Sequence, residues 1–298
     1  MAGILRPSDF ERNNMKHQKI FAAIGTAVAL AVGQPSARAE EEVTKAAKKI
    51  FAEYQDSVVW ISAVAKISIK TSGGSDRSIP DQEKKVETPG TVIDASGLIV
   101  TSLNTIDPSS TMDGQEFPSP NGPVKISASA KITEVKVIMP DGAEIPADIV
   151  MKDTDLDLAF IKIRADSPEA KGVKFKAIDL KNCAEGGMLD EVVALGRMGE
   201  VFGRQPSVIT SLVTAETKKP RHFLRVPTET IGGPVFNVSG KLIGITVLRH
   251  AKSETQGDRI GLLPAVMPAA DIVPLAEQAL KAKPPQSDEK KVAEKSEK

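Results

Sequence analysis

Short apolar runs recur along the middle of the chain, separated by polar turns. Val58–Ile69, Gly90–Ile93, Gly97–Thr101, Glu134–Met139, Glu144–Met151 and Leu158–Ile163 form a first series. Val192–Leu195, Ser207–Val213, Leu224–Val226, Val235–Val238 and Leu242–Leu248 form a second. These runs are rich in Val and Ile and bounded by turn signals such as Asp94–Gly97, Pro140-Asp-Gly142 and Asn237–Gly240, which predicts strands. Many short strands with few helices between them favour an antiparallel sandwich or barrel over a parallel sheet. Helical spacing appears only at the two flanks. Val43, Ala46, Ala47, Ile50 and Phe51 share one face of a helix predicted over Glu42–Tyr54. Ile272, Leu275, Ala276, Ala279 and Leu280 do so over Asp271–Lys281, where Pro274 is tolerable in the first turn. No internal repeat of fixed period is visible.

The ends break this pattern. Residues 15–39 place Lys16 and Lys19 before an apolar run, Ile20–Gly33, and end on Ala37-Arg38-Ala39. That layout is a secretory signal peptide, and its apolar run is short of the ~20 residues a spanning helix needs. Residues 1–14 fit no signal and read as a mis-assigned upstream extension, with Met15 as the true start. The expectation is an exported mature chain from Glu40, periplasmic or secreted, with no membrane span after cleavage. Residues 281–298 are dominated by Lys, Glu, Pro and Ser and read as a disordered charged tail. Thr71–Pro89 and Asp107–Pro123, rich in Gly, Ser, Asp and Pro, interrupt the strands and read as long surface loops.

Composition narrows the function classes. The chain has 298 residues, 41% of them hydrophobic, with 39 basic residues against 39 acidic ones. This supports a real core and excludes wholesale disorder. The charge balance speaks against a nucleic-acid binder. The single cysteine, Cys183, leaves no intramolecular disulfide and reads as a small buried hydrophobe. Three histidines, His17, His222 and His250, are poor material for a metal site. No cofactor or metal is expected.

Four segments resemble the HtrA/DegP-type trypsin-like serine proteases. Gly90–Ser102 (GTVIDASGLIVTS) resembles the strand-turn-strand before the family's catalytic histidine. Asp141–Ile163 (DGAEIPADIVMKDTDLDLAFIKI) resembles the stretch carrying the aspartate. Gly232–Ile245 (GGPVFNVSGKLIGI) resembles the strand pair after the serine, and Leu262–Leu280 resembles the closing strand and helix. The segments come in the family's order and span roughly Ala46 to Leu280. The resemblance implies an all-β fold, a trypsin-like double β-barrel with short N- and C-terminal helices. Its domain would span residues 40–280, with six-stranded barrels at about 56–175 and 185–265 and an active site between them. No sequence after Leu280 would supply a PDZ domain.

The same comparison removes the chemistry. A Ser–His–Asp mechanism needs a hydroxyl nucleophile, an imidazole base and an orienting carboxylate. Where the family reads Thr-x-x-His, this chain has Thr101-Ser102-Leu103-Asn104, and an amide has no useful basicity near neutral pH. The aspartate is kept as Asp157. Where the family reads Gly-x-Ser-Gly-Gly-Pro, this chain has Glu229-Thr230-Ile231-Gly232-Gly233-Pro234. Ile231 cannot attack a carbonyl. Glu229 and Thr230 occupy the oxyanion-hole positions, and Glu229 would bring a carboxylate to where an oxyanion should be stabilised. If the glycine conformation were kept there, Glu229 would need an uncommon positive φ. No triad is intact at Asn104, Asp157 and Ile231. Asp157 is expected to bond backbone or Asn104.

The expected function is an exported HtrA-like pseudoprotease that binds proteins or peptides, with strand addition in the interbarrel cleft as the mode. It could serve as a scaffold or as a regulatory subunit of an active protease paralogue. By analogy with the family alone, the resemblance implies a homo-oligomer, a trimer through the N-terminal segment carrying Phe51 and Tyr54. The competing reading is an active serine endopeptidase of envelope protein quality control with a displaced catalytic set. It would draw on Thr228 or Thr230 and on His222 or His250.

Overall fold

The structure is a computed structural model, and it describes residues 34–73, 77–250 and 262–283. The chain divides into two units, residues 1–45 and 46–298. Helix α1, Gln34–Tyr54, begins in the first and ends in the second. It starts eight residues before Glu42, because Ala, Glu and Arg around residues 37–42 are good helix formers. Residues 1–33 and 284–298, with the apolar run Ile20–Gly33 read as part of a signal peptide and most of the charged tail, lie outside the described residues.

Seven strands follow: β1 (Val58–Gly73), β2 (Arg77–Asp94), β3 (Leu98–Ser102), then after the single-turn helix α2 (Leu103–Ile106), β4 (Glu116–Phe117), β5 (Val124–Ile138), β6 (Glu144–Asp153) and β7 (Leu158–Ile163). They pair in the order β1-β2-β3-β7-β6-β5-β4, and β1 also pairs with β5. Six of them therefore close a barrel, with β4 attached outside. The second set comprises β8 (Glu191–Arg197), β9 (Pro206–Leu212), β10 (Ala215–Thr217), β11 (Phe223–Arg225), β12 (Pro234–Asn237), β13 (Leu242–His250) and β14 (Leu262–Pro268). Its order is β10-β11-β14-β13-β12-β8-β9, so β9 and β10 are its edges. Among the described residues this second sheet is a curled half-barrel, and with the closed first barrel it gives the expected trypsin-like double-barrel fold. Helix α3, Ala269–Lys281, closes the described fold. It begins two residues before Asp271, so Pro274 falls in its second turn.

Strand alternation sorts the core into three clusters, because successive side chains point to opposite faces. Ile99, Ala159 and Ile161 fill the closed barrel with Val59, Ile61 and Val137. Their neighbours Leu98, Val100, Leu158 and Phe160 face outward. They join Val193, Leu195, Phe236, Ile245 and Val247 of the second sheet, together with Ile272 and Ala276 of α3. Val192, Ala194, Val235, Ile243 and Val266 form the inner face of the second sheet. Each fully buried Ile, Leu or Phe contributes about 1.5–3 kcal/mol. Phe51, Tyr54 and Cys183 pack against the shared cluster, and the Tyr54 ring stacks on Phe236 at 4.8 Å. Cys183 is half-buried.

Polar clasps join the first strands to the second sheet. The buried Arg197 guanidinium donates to the backbone carbonyls of Val58, Gln55 and Arg204. Arg204 Nη2 reaches Glu87 at 3.1 Å, and the same carboxylate accepts the Trp60 indole N–H at 2.8 Å.

Residues 71–89 are a correction. Among the described residues, 71–73 and 77–89 belong to strands of a long ribbon instead of a surface loop: Ala63–Thr71 pairs with Arg77–Val86 on one side and with Ile126–Val135 on the other. Residues 78–85 are exposed throughout, so burial never imposed an apolar alternation on them. Asp107–Pro123 is largely irregular as expected, with one 3-10 turn at Pro108–Thr111 and the two-residue β4.

Candidate functional site

Asp157 precedes β7 in a turn and sits at φ 60°, a left-handed conformation that Asp tolerates better than most residues. It is buried. Its Oδ1 accepts the Asn104 backbone N–H at 2.7 Å. Its Oδ2 accepts the Leu248 N–H at 2.6 Å and the Ser102 hydroxyl. Its carbonyl accepts the Leu103 N–H at 3.0 Å. One residue thus ties the end of β3 and the start of α2 to β13 in the second sheet. Burial pushes the carboxyl pKa up to about 6, while these three donors and the charge of Arg249 pull it down.

The segment before β12 is held by other means. Gly232 sits at φ 79°, and a Cβ there would lie 2.3 Å from the Pro89 carbonyl and 2.5 Å from Thr101 Oγ1. A Cβ on Gly233 would lie 2.1 Å from the Leu195 carbonyl. No side chain fits either place without displacing backbone. Gly232 N–H donates to Thr246 at 2.7 Å, and Thr246 N–H donates to Gly233 at 2.9 Å. Thr91 Oγ1 donates to the Gly232 carbonyl at 2.8 Å. β13 therefore serves both corners, bonding Gly232 and Gly233 through Thr246 and Asp157 through Leu248.

Asn104 and Asp157 are in direct contact, and the Ile231 segment docks beside them through Thr101 and Thr246. Ile231 is half-buried and Glu229 exposed. Among the described residues the non-glycines at positive φ are Asp157, Leu189 and Arg204, so Glu229 does not keep a glycine conformation. The buried Thr228 and Thr230 hydroxyls lie 2.9 Å apart and bond each other. Among the described side chains neither pairs with a histidine: His222 Nε2 lies 3.1 Å from Glu216 on β10. The side chain of His250 lies outside the described residues. Ser102, which the motif comparison does not single out, completes this corner, and its place one step before the Leu-Asn pair that bonds Asp157 is the available signal. Among the described residues no group of three or more His, Cys, Asp or Glu could hold a metal ion.

A family model described as "Trypsin-like peptidase domain" matches residues 88–245. The chain is 27% identical over 184 residues to a Serine protease Do-like HtrA of Bacillus subtilis, a match covering 56% of this chain and 38% of that protein. It is 26% identical over 157 residues to a Probable periplasmic serine endoprotease DegP-like of Bartonella henselae, covering 50% of this chain and 29% of that one. The chain thus matches only about a third of the length of these relatives. A MamO protease domain from Magnetospirillum magneticum, in its apo form, is similar at TM-score 0.44 and 20% identity, covering 76% of this chain and 98% of that one.

Proposed function

The chain belongs to the trypsin-like peptidase domain family, and from that premise we propose that it is an exported, catalytically degenerate member that binds extended peptide or protein segments without cleaving them. One observation carries this reading. The Asp157 carboxylate, the group that would orient a catalytic imidazole, accepts from Ser102, Asn104 and Leu248 and, among the described residues, from no imidazole. With Asn104 at the base position and Ile231 at the nucleophile position, the two positions where the family carries its imidazole and its hydroxyl hold an amide and a hydrocarbon. The Thr228 and Thr230 hydroxyls are buried and occupied with each other.

What remains is a framework able to hold backbone. Extended segments bind such folds by adding a strand, with main-chain hydrogen bonds giving affinity and side-chain pockets giving selectivity. Export rests on the pattern of residues 15–39 and predicts a mature N-terminus at Glu40, readable by N-terminal sequencing of the chain from its own cells.

The test is a pair of assays on the full chain. A serine-directed fluorophosphonate should leave it unlabelled and casein should stay uncut, while an unbiased peptide library should yield binders. Labelling at Thr228 or Thr230, or hydrolysis, would establish the displaced catalytic set instead. Co-purification with an active paralogue, and a change in its rate, would mark the binder as a regulatory subunit.

A further inference from the structure

The open edge of the second sheet carries a cavity of about 450 Å³. Its apolar floor is Phe223, Leu224, Leu263 and Pro264, from β11 and β14. Among the described residues it is lined by four cationic residues, Lys219, Arg221, Arg225 and Arg249, and one acidic residue, Asp155. Two of the arginines are fixed in place. Arg249 lies over the Phe223 ring, 4.6 Å from its centroid, and donates to the Asp155 carbonyl. Arg225 Nη1 donates to the Pro264 carbonyl at 2.8 Å. Both therefore present charge with little conformational entropy left to lose, which favours binding of a carboxylate. Residues of β10 line the same cavity, and β10 ends the sheet order, paired only with β11 among the described residues.

We infer that this cavity is a recognition site for an extended acidic segment of a protein partner, one that pairs its backbone with the β10 edge, seats an apolar side chain on Phe223 and Leu263, and places carboxylates among Arg221, Arg225 and Arg249. The inference rests on the peptide-binding reading above and gives it a chemical class. Charge complementarity selects the occupant: the rim carries an excess of positive charge, and the floor asks for an apolar neighbour to the acid. The location fits, because Arg249 follows Leu248, the residue that bonds Asp157.

The experiment measures fluorescence anisotropy of labelled ten-residue peptides on the full chain: one of alternating Glu and Leu, and matched Gln–Leu and Lys–Leu peptides. The Glu–Leu peptide should bind at least about tenfold more tightly than the Gln–Leu peptide. Its affinity should fall as salt rises from about 0.05 M to about 0.5 M. Arg221→Glu, on an exposed side chain, should weaken it by about tenfold or more, and Arg225→Gln should weaken it too. Equal binding of the Glu–Leu and Gln–Leu peptides, or indifference to both substitutions, would overturn the acidic site and leave peptide binding standing. No binding of any of the three at roughly 1 mM overturns the acidic site; if the unbiased library also yields no binder, the peptide-binding reading falls with it.

Discussion

The Asp157 corner and the Gly232–Gly233 corner lie against the same strand, β13, and are held in opposite ways. At the first, a side chain does the holding: a buried carboxylate gathers donors from Ser102, Asn104 and Leu248. At the second, the absence of side chains does it, with backbone pressed against the Pro89 and Leu195 carbonyls. Glu229 and Ile231, between these fixed points, are exposed and half-buried. Positions that build the fold resist change whether or not any reaction occurs, and positions that would perform the reaction have little packing to resist it.

Filling the glycine corner should do the most damage. Gly232→Ala adds a Cβ in a left-handed conformation against backbone and should cost about 2–5 kcal/mol in urea unfolding. A loss near zero would mean that this corner is loose and the contrast false. Asp157→Ala should cost about 2–4 kcal/mol, by leaving the Asn104 and Leu248 N–H groups without an acceptor.

Titration sharpens the contrast further, since only one corner carries a proton. The Asp157 pKa is about 6 in the fold against 3.8 ordinarily. Between those values the folded chain holds a proton that the unfolded chain has released, so this group's contribution to stability falls as pH rises. Relative to Asp157→Asn, which cannot titrate, the native chain should lose about 2–3 kcal/mol between pH 4 and pH 7. A flat difference would mean the carboxyl is not held as described. The smallest effect is expected from Thr230→Val, which keeps shape and loses the bond to Thr228, for about 1 kcal/mol.

The strands with a buried face were legible. Leu98–Ser102 and Leu158–Ile163 are almost wholly buried and read as apolar runs. The first half of β2 was not, because SIPDQEKK is solvated and the strand takes its conformation from pairing with Ala63–Thr71, distant in sequence. Asp157 was legible through the motif around it, and so was its bond to backbone. The Ser102 hydroxyl and the Leu248 N–H were not, since both arrive by tertiary packing. The absent left-handed turn at Glu229 is also a backbone property that its residue type only hinted at.

Trp60 is the sole tryptophan of the chain. Its ring is buried and its N–H bonds Glu87, which also holds Arg204. Intrinsic fluorescence excited in the tryptophan band therefore reads one seam, where the closed barrel meets the turn after β8, while circular dichroism reads both sheets at once. Coincident curves from the two signals would make the two sheets one cooperative unit. An earlier fluorescence change would date the parting of that seam before the sheets melt.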